Sequence, residues 1–482
     1  MKTQFSMGAV SAATFAEMCG GDLREGRGAD TRVWGMCTDS READKYTVFC
    51  ALRGERVDGH DYIAAAIAAG CRCVLCEQTS EEIEAAGIAA VVVKDTEMAL
   101  SRFANACRHA LTCRTVAVTG SVGKTTTKDL LASVLSVRAN TFRTPGNHNS
   151  LVGMPLAMTE IPADTAWAVL EMGMSGFGEI ERLSVAAEPD IAIITNIGSS
   201  HIGSLGSREN ICRAKLEVLC GLRTGGILLL NGDEPLLAGI GGKSYRTMYV
   251  SLQRENTDFS AKNIRVENNR TLFDVTWAGG CARDLCVRVM GRHNVYAALF
   301  AFAVGILGGM DPEDIRAGLL AFEPDGLRQH MTSCGEWELM EDCYNASPES
   351  MDAAIEVLHD YCLRTGRRSV AVLGDMLELG ADSAAMHRRV GAHLAYLGVA
   401  RLLTVGKGGA QIALGARQMG METDCITRCA DPEEPEAIAR TLSGILQPGD
   451  VVLFKASRAV GEERIIQALR HLNENQPEHS EV

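Results

Sequence analysis

No stretch of this chain is apolar for long enough to cross a bilayer. The longest such run, Asn294 to Gly308, falls short of the roughly 18 residues a span requires. It follows the glycine-bearing turn Gly291-Arg292-His293 and is expected to be a buried helix of a soluble protein. The opening residues, Met1-Lys-Thr-Gln-Phe-Ser-Met7, place Thr, Gln and Ser where a secretory signal needs unbroken apolar sequence, so a cytoplasmic location is expected. Basic residues are also in deficit. Lys and Arg number 47 against 61 Asp and Glu, a net charge of −14, which argues against nucleic acid or an anionic membrane as a partner. Internal repeats, low-complexity tracts and coiled-coil heptads are missing. The 17 cysteines are scattered, and Cys71-x-Cys73-x-x-Cys76 has no second pair at ligand spacing. Reduced thiols are therefore expected, rather than zinc ligands or disulfides.

What remains is a chain of 482 residues, 46% hydrophobic, too long for a single core. Strand-like and helix-period segments alternate along it, which predicts an α/β protein of three domains, spanning 1–110, 111–327 and 328–482. Strands are expected at Thr115–Val118, Trp167–Leu170, Ile191–Thr195 and Ile227–Leu230 in the second domain. Asp258 to Val289 alternates as antiparallel strands do. Ser369–Leu373, Arg401–Val405 and Val451–Phe454, with helices between them, predict a small doubly wound sheet in the third domain. There Ser347 is placed to cap a helix with Pro348 in its first turn and Met351, Ala354, Ile355, Leu358 and Tyr361 on one face.

The most informative segment is Val116-Ala-Val-Thr-Gly-Ser-Val-Gly-Lys-Thr-Thr-Thr-Lys-Asp-Leu130: an apolar strand, a glycine-flanked turn, then a helix. Such a turn aims backbone N–H groups and a helix N-terminus at phosphates, with Lys124 adding positive charge and Thr125 a hydroxyl for Mg²⁺. Val118 stands where the usual phosphate loop has its first glycine, leaving the tighter Thr119-Gly120-x-x-Gly123-Lys124-Thr125. The ATP-binding residues expected here are Thr119, Gly120, Ser121, Val122, Gly123, Lys124, Thr125 and Thr126.

Parallel sheets collect functional residues at the carboxyl ends of their strands. Glu171 and His201 fall at such ends, and a carboxylate with an imidazole beside a phosphate loop can hold Mg²⁺ beyond the ion Thr125 takes. Read alone, His201 is more often a plain polar contact and Glu171 is evenly balanced between the two roles, while Lys215 within Arg208–Val218 reads as a solvated helix lysine. Asp342, Tyr344 and Asn345 precede the capped helix, while Arg328, Lys455 and Arg458 belong to the third domain. By spacing alone these suggest either a cleft closing on substrate or ordinary ion pairs.

Taken together, Thr119–Thr127, Gly146-Asn-His-Asn149, Glu171-Met-Gly173, Thr195-Asn-Ile-Gly198 with His201, and Ala214-Lys215-x-Glu217 resemble the Mur ligases of peptidoglycan synthesis in order and spacing. Asp342-Cys-Tyr-Asn-Ala-Ser-Pro-Glu-Ser-Met351 and Leu373-Gly-Asp-Met-Leu-Glu-Leu-Gly380 are similar to the branch that adds D-alanyl-D-alanine. Thr38-Asp-Ser-Arg41 and Asp58-Gly-His60 are similar to its UDP-binding domain. The resemblance implies a central P-loop ATPase domain between a UDP-precursor domain and a closing, amino-substrate domain. It implies catalytic roles for Lys124, Glu171, His201, Lys215, Arg328 and Lys455, with two Mg²⁺ ions held by Thr125, Glu171, His201 and a carbamylated Lys215. Asn294, Arg328 and Asp342 would join the ATP site, Arg328 at the γ-phosphate. Ser40, Arg41, Asn147, Asn149, Tyr344, Asn345 and Arg458 would contact substrate.

The activity so implied is ATP-dependent amide formation by a monomer acting on UDP-MurNAc-tripeptide and D-Ala-D-Ala. A ligase adding the third amino acid lacks support, because the Asp-Asn-Pro-Arg block that would read that amino acid is missing. A folylpolyglutamate synthetase would not need the Thr38–Arg41 domain, and a non-catalytic precursor-binding protein would not need Lys124, Glu171, His201 and Lys215 together.

Overall fold

In the computed structural model, which describes residues 1–24, 28–54, 56–324 and 328–474, three parallel-rich sheets follow one another along the chain. The first runs Lys2–Gln4, Gly35–Cys37, Thr47–Cys50, Cys73–Cys76, Ala89–Val92 and Asp22–Leu23 in spatial order, parallel in its middle and antiparallel at both edges. Cys71, Cys73 and Cys76 are buried in its core as small apolar side chains, and all 17 cysteines are free. Thr38–Arg41 and Asp58–His60, expected as loops, tighten into 3₁₀ turns at Ser40–Glu42 and Gly59–Tyr62. The carboxylates of Asp39 and Asp58 accept backbone N–H groups and start each turn.

The second sheet has nine strands among the described residues. Thr141–Arg143, Trp167–Glu171, Arg114–Thr119, Ile191–Ile194, Ile227–Asn231, Arg246–Ser251 and Phe259–Glu267 run parallel, and Arg270–Trp277 and Gly280–Val287 close it as antiparallel strands. The central parallel strands are buried on both faces and correspondingly apolar, Ile191-Ala-Ile-Ile194 throughout. Register fixes the site. Glu171 pairs with Val118 and Ile194 with Thr119, so Glu171, the phosphate loop and Thr195 emerge level at one end of the sheet. The helix Arg292–Leu307 is apolar on every side and lies inside the core against the helix Lys124–Leu135, as its composition requires.

The third sheet orders His330–Cys334, Trp337–Glu341, Val451–Lys455, Ser369–Leu373, Arg401–Val405 and Ile426–Cys429, parallel except for its first pair. Its leading hairpin and Ile426–Cys429 are strands the sequence pattern did not single out. The helix Pro348–Thr365 begins as anticipated: Ser347 Oγ accepts the Ser350 N–H, and the predicted apolar face is buried. The acidic tail after Glu474 lies outside the described residues.

No helix among the described residues is long and apolar enough to cross a membrane. The helices Ser383–Tyr396 and Gly406–Gln418 approach closely because Gly391 and Gly415 sit at their crossing, where a Cβ on Gly415 would overlap the Arg388 backbone. Gly415→Ala is expected to destabilise this layer by about 2 kcal/mol. Urea unfolding should show an earlier midpoint at unchanged slope, and an unchanged midpoint would contradict the close packing.

Candidate active site

The phosphate loop joins the strand Arg114–Thr119 to the helix Lys124–Leu135, and its shape depends on two glycines. Gly120 has φ +146°, and a Cβ there would run into Thr195 Oγ1; Gly123 has φ +82°. Gly123 is the N-cap of the helix and supplies no side-chain cap, so the first-turn N–H groups of Lys124, Thr125 and Thr126 are available to an anion. The earlier N–H groups are not all free for phosphate, as the motif alone suggested. Asn196 Oδ1 accepts both Ser121 N–H (3.1 Å) and Val122 N–H (2.9 Å), pinning the loop to the neighbouring strand end. Thr195 Oγ1 donates to Val122 O at 2.6 Å from the same direction.

A cleft of ≈ 340 Å³ opens over this loop, between the second and third sheets. Ser121, Val122, Gly123, Lys124, Thr125 and Thr126 line its floor, while Thr119 and Gly120 form the rigid strand end beneath. Lys124 Nζ donates to Gly120 O (2.9 Å) and Ser121 O (3.3 Å), a curled resting position. Burial holds its pKa below the usual lysine value; Glu171 opposes the shift and Arg328 adds to it. Glu171 is buried at the strand end, where Asn149 Nδ2 donates to its Oε1 at 2.8 Å. Its Oε2 has no hydrogen-bond partner, and Lys128 Nζ stands 3.8 Å away. Arg328 closes the other side. Its Nη2 donates to Thr125 Oγ1 at 3.1 Å and its guanidinium stacks 3.9 Å over the Tyr344 ring, with Arg458 at 5.9 Å over the same ring.

Further along the cleft wall, Lys455 Nζ pairs with Asp342 Oδ2 at 2.6 Å and donates to Asn345 O at 3.0 Å, a buried linkage of the last strand to the turn before the capped helix. Asn294 Nδ2 donates to Met290 O and Gln329 Oε1, both at 2.8 Å, fixing its carboxamide at the start of the buried helix. Beside it His293 is neutral at pH 7, its pKa pushed down to about 4 by burial.

Five expected residues stand apart from this wall. His201 does not line the cleft; its Nδ1 pairs with Glu378 Oε2 at 2.6 Å, which lowers the Glu378 pKa. Lys215 is 2% exposed, not the surface lysine its helix spacing suggested, because Arg208–Leu216 packs that face inward. Burial drives its amine well below the ordinary lysine pKa, and the charge of Lys124 adds to the shift. Asn147 is exposed in the Gly146–Asn149 turn. Ser40 and Arg41 lie on the first domain, where Arg41 forks onto Asp39 and is largely exposed. Among the described residues no three His, Cys, Asp or Glu side chains cluster as a metal set.

Several side chains in this region went unassigned from sequence. Lys128, 1% exposed, donates to Gly146 O at 2.9 Å; its spacing one turn after Lys124 was the available signal. Asn196 was visible only as part of a motif block, and Gln329 and Glu349 carried no signal of their own.

The fold and site thus define a nucleotide-binding P-loop protein whose cleft is completed by a following α/β layer. The chain is matched by the Mur ligase family catalytic domain over residues 32–108, the Mur ligase middle domain over 118–305 and the Mur ligase glutamate ligase domain over 328–458. It is 37% identical to the UDP-N-acetylmuramoyl-tripeptide–D-alanyl-D-alanine ligase of Bacillus subtilis (strain 168), across 94% of this chain and 97% of that one. A crystal structure of MurF from Acinetobacter baumannii superposes with TM-score 0.87 at 31% identity, covering 96% and 99% of the two chains. MurF from Thermotoga maritima in complex with ADP gives TM-score 0.79 at 27% identity, covering 92% and 98%. The chain belongs to the Mur ligase family.

Asn196→Ala removes the acceptor for two loop N–H groups. ATP affinity is expected to fall about tenfold, equivalent to about 1.4 kcal/mol, with unchanged thermal unfolding of the apoprotein. Unaltered ATP binding by calorimetry would show that the loop holds its shape without Asn196.

Proposed function

We propose that this chain joins D-alanyl-D-alanine to UDP-N-acetylmuramoyl-tripeptide with hydrolysis of ATP to ADP and phosphate, in the cytoplasm where these precursors are made. One observation carries the reading: Lys124, Lys128 and Arg328 converge on a glycine-capped helix N-terminus, with the carboxylates of Glu171 and Asp129 beside them. Such a site presents backbone N–H groups and cations to a polyphosphate and to a carboxylate brought beside it.

A carboxylate is a poor electrophile near neutral pH, so its oxygen must first become a leaving group. The tripeptide's terminal carboxylate attacks the γ-phosphorus, the β–γ bridging bond breaks, and ADP keeps that electron pair. Lys124 uncurls from its loop carbonyls to meet the phosphates, and Arg328, steadied by Tyr344, spreads the charge of the transferring group. The amine of D-Ala-D-Ala then attacks the acyl carbon and the tetrahedral intermediate expels phosphate. The Lys455–Asp342–Asn345 linkage fixes the cleft wall on the third sheet, and the Arg328–Thr125 and Glu349–Ser199 bonds bring that wall against the nucleotide domain, which shields the acyl phosphate from water.

Thr125 and the unpartnered Oε2 of Glu171 fit one Mg²⁺, an ion that keeps few protein ligands and takes the rest of its shell from water and phosphates. When bound it neutralises the β- and γ-phosphate oxygens. A second ion on His201 and a carbamylated Lys215 belongs to the same proposal. The support is that Lys215 is buried, which lowers its pKa and favours the uncharged amine, the form that combines with CO₂. In that reading Asn294 contacts the adenine, Asp342 the ribose side, and Ser40 and Arg41 the uridine diphosphate. Asn147, Asn149, Tyr344, Asn345 and Arg458 face the peptide substrates. In the same proposal the domains 1–110, 111–327 and 328–482 each serve one substrate class.

The test is ADP release with ATP, Mg²⁺, UDP-MurNAc-tripeptide and D-Ala-D-Ala, omitting each in turn. Release that needs all of them, with a UDP-pentapeptide product, is expected. Release with the dipeptide precursor and a diamino acid would assign the preceding step, and no release with either pair would leave only binding. Lys215→Ala is expected to lose at least about 100-fold in turnover without recovery in bicarbonate. Turnover like the wild type would remove Lys215 from the mechanism.

A further inference from the structure

The helix Pro348–Thr365 delivers one side chain across to the nucleotide domain that the reaction above leaves without a chemical task. Glu349, in its first turn, reaches the segment after the strand Ile191–Ile194. Its Oε1 accepts Ser199 N–H at 2.9 Å and Ser199 Oγ–H at 2.5 Å, and its Oε2 is buried with no hydrogen-bond partner. The carboxyl packs on Gly198, where a Cβ would come within 2.9 Å of it, and Gly198 N–H donates to Ser121 Oγ of the phosphate loop at 2.9 Å. Glu349 is therefore clamped into the cleft wall one hydrogen bond from the loop, with one oxygen committed and the other unmatched.

A carboxylate held there meets the ATP phosphates unfavourably and forgoes solvation at Oε2, so its placement needs a cation. The nearby side chains do not supply one. Lys124 is bonded to Gly120 O and Ser121 O, Arg328 to Thr125, and Lys455 to Asp342 and Asn345. Of the ammonium groups the organic reactants carry, that of the amino substrate is the one that must come up to the acyl carbon, and it cannot attack until it loses a proton.

Resting on the ligase reading, we infer that Glu349 Oε2 binds this ammonium and accepts its proton. One proton passes from nitrogen to Oε2, and the freed electron pair forms the C–N bond to the acyl carbon. The C–O bond to the phosphate then breaks, the phosphate leaves with that pair, and nitrogen's remaining surplus proton goes to the departing phosphate. Glu349 would thus act on the second half-reaction and leave acyl-phosphate formation untouched.

Hydroxylamine separates the halves, because it is a neutral nucleophile that captures the acyl phosphate as a hydroxamate without deprotonation. The full-length enzyme is assayed with ATP, Mg²⁺ and UDP-MurNAc-tripeptide, plus either hydroxylamine or D-Ala-D-Ala. For E349Q, ligation of D-Ala-D-Ala is expected to fall on the order of 100-fold while hydroxamate formation stays within about threefold of wild type. E349D, which keeps the base but draws it back by one methylene, should recover ligation that the isosteric amide does not. Loss of both products in E349Q and E349D, or Gln outperforming Asp, would make Glu349 a closure or metal-binding residue and overturn the inference. Unimpaired ligation in E349Q would overturn it as well. Neither product from the wild type would instead overturn the ligase reading on which the inference rests.

Discussion

The site depends on cationic side chains brought to one helix N-terminus among a few carboxylates. Lys124, Lys128 and Arg328 gather beside Glu171 and Asp129 in a chain whose net charge is −14. Cations withdrawn from water are costly, and here they are steadied by Gly120 O, Ser121 O and Thr125 Oγ1 of the loop and by Gly146 O of a neighbouring turn. A bound triphosphate would replace these weak partners with strong ones. The parallel sheet supplies the platform, because its register brings Glu171, the loop and Thr195 to one level.

The third sheet bears on this centre through a small number of contacts. Arg328 reaches Thr125, Glu349 reaches Ser199, and His201 meets Glu378. Where Gly203 crosses Gly380 the backbones come so near that neither tolerates a Cβ, and Gly203 N–H donates to Glu378 O at 3.1 Å. These polar contacts, with Met290, Ile202 and Val266 packed on the third layer's core, join a layer that must close over substrates and release product. The Tyr344 ring, with Arg328 on it and Arg458 nearby, couples the junction segment to the turn after the last strand.

Much of this was legible in the residues. The phosphate loop, the parallel strands behind it, the antiparallel extension from Phe259 to Val287 and the Ser347 cap all rest on local patterns whose physical cause is local. What could not be read depends on contacts between segments far apart in sequence. Lys215 looked like a surface residue because its own helix is polar on average, and burial became visible only once that helix was packed. Asn196 occupies two loop N–H groups from a strand 75 residues away in sequence. The hairpin His330–Glu341 lacks the clean alternation of the strands at the sheet's centre, since it lies at an edge and is only partly buried. Glu349 sits in an ordinary first-turn position for an acidic residue, and nothing in that position distinguishes a helix-dipole partner from a group reaching another domain.

The central claim is that the buried cations serve transfer of the γ-phosphoryl group to a carboxylate. The most direct measurement is positional isotope exchange in ATP carrying heavy oxygen in the β–γ bridge, incubated with the enzyme, Mg²⁺ and UDP-MurNAc-tripeptide but no amino substrate. If an acyl phosphate forms reversibly with ADP retained, the label will move to non-bridging β positions, and the movement will stop when the tripeptide precursor is left out. Label that stays in the bridge while the complete mixture still yields amide product would contradict the account, and the cleft's charge would then need another purpose.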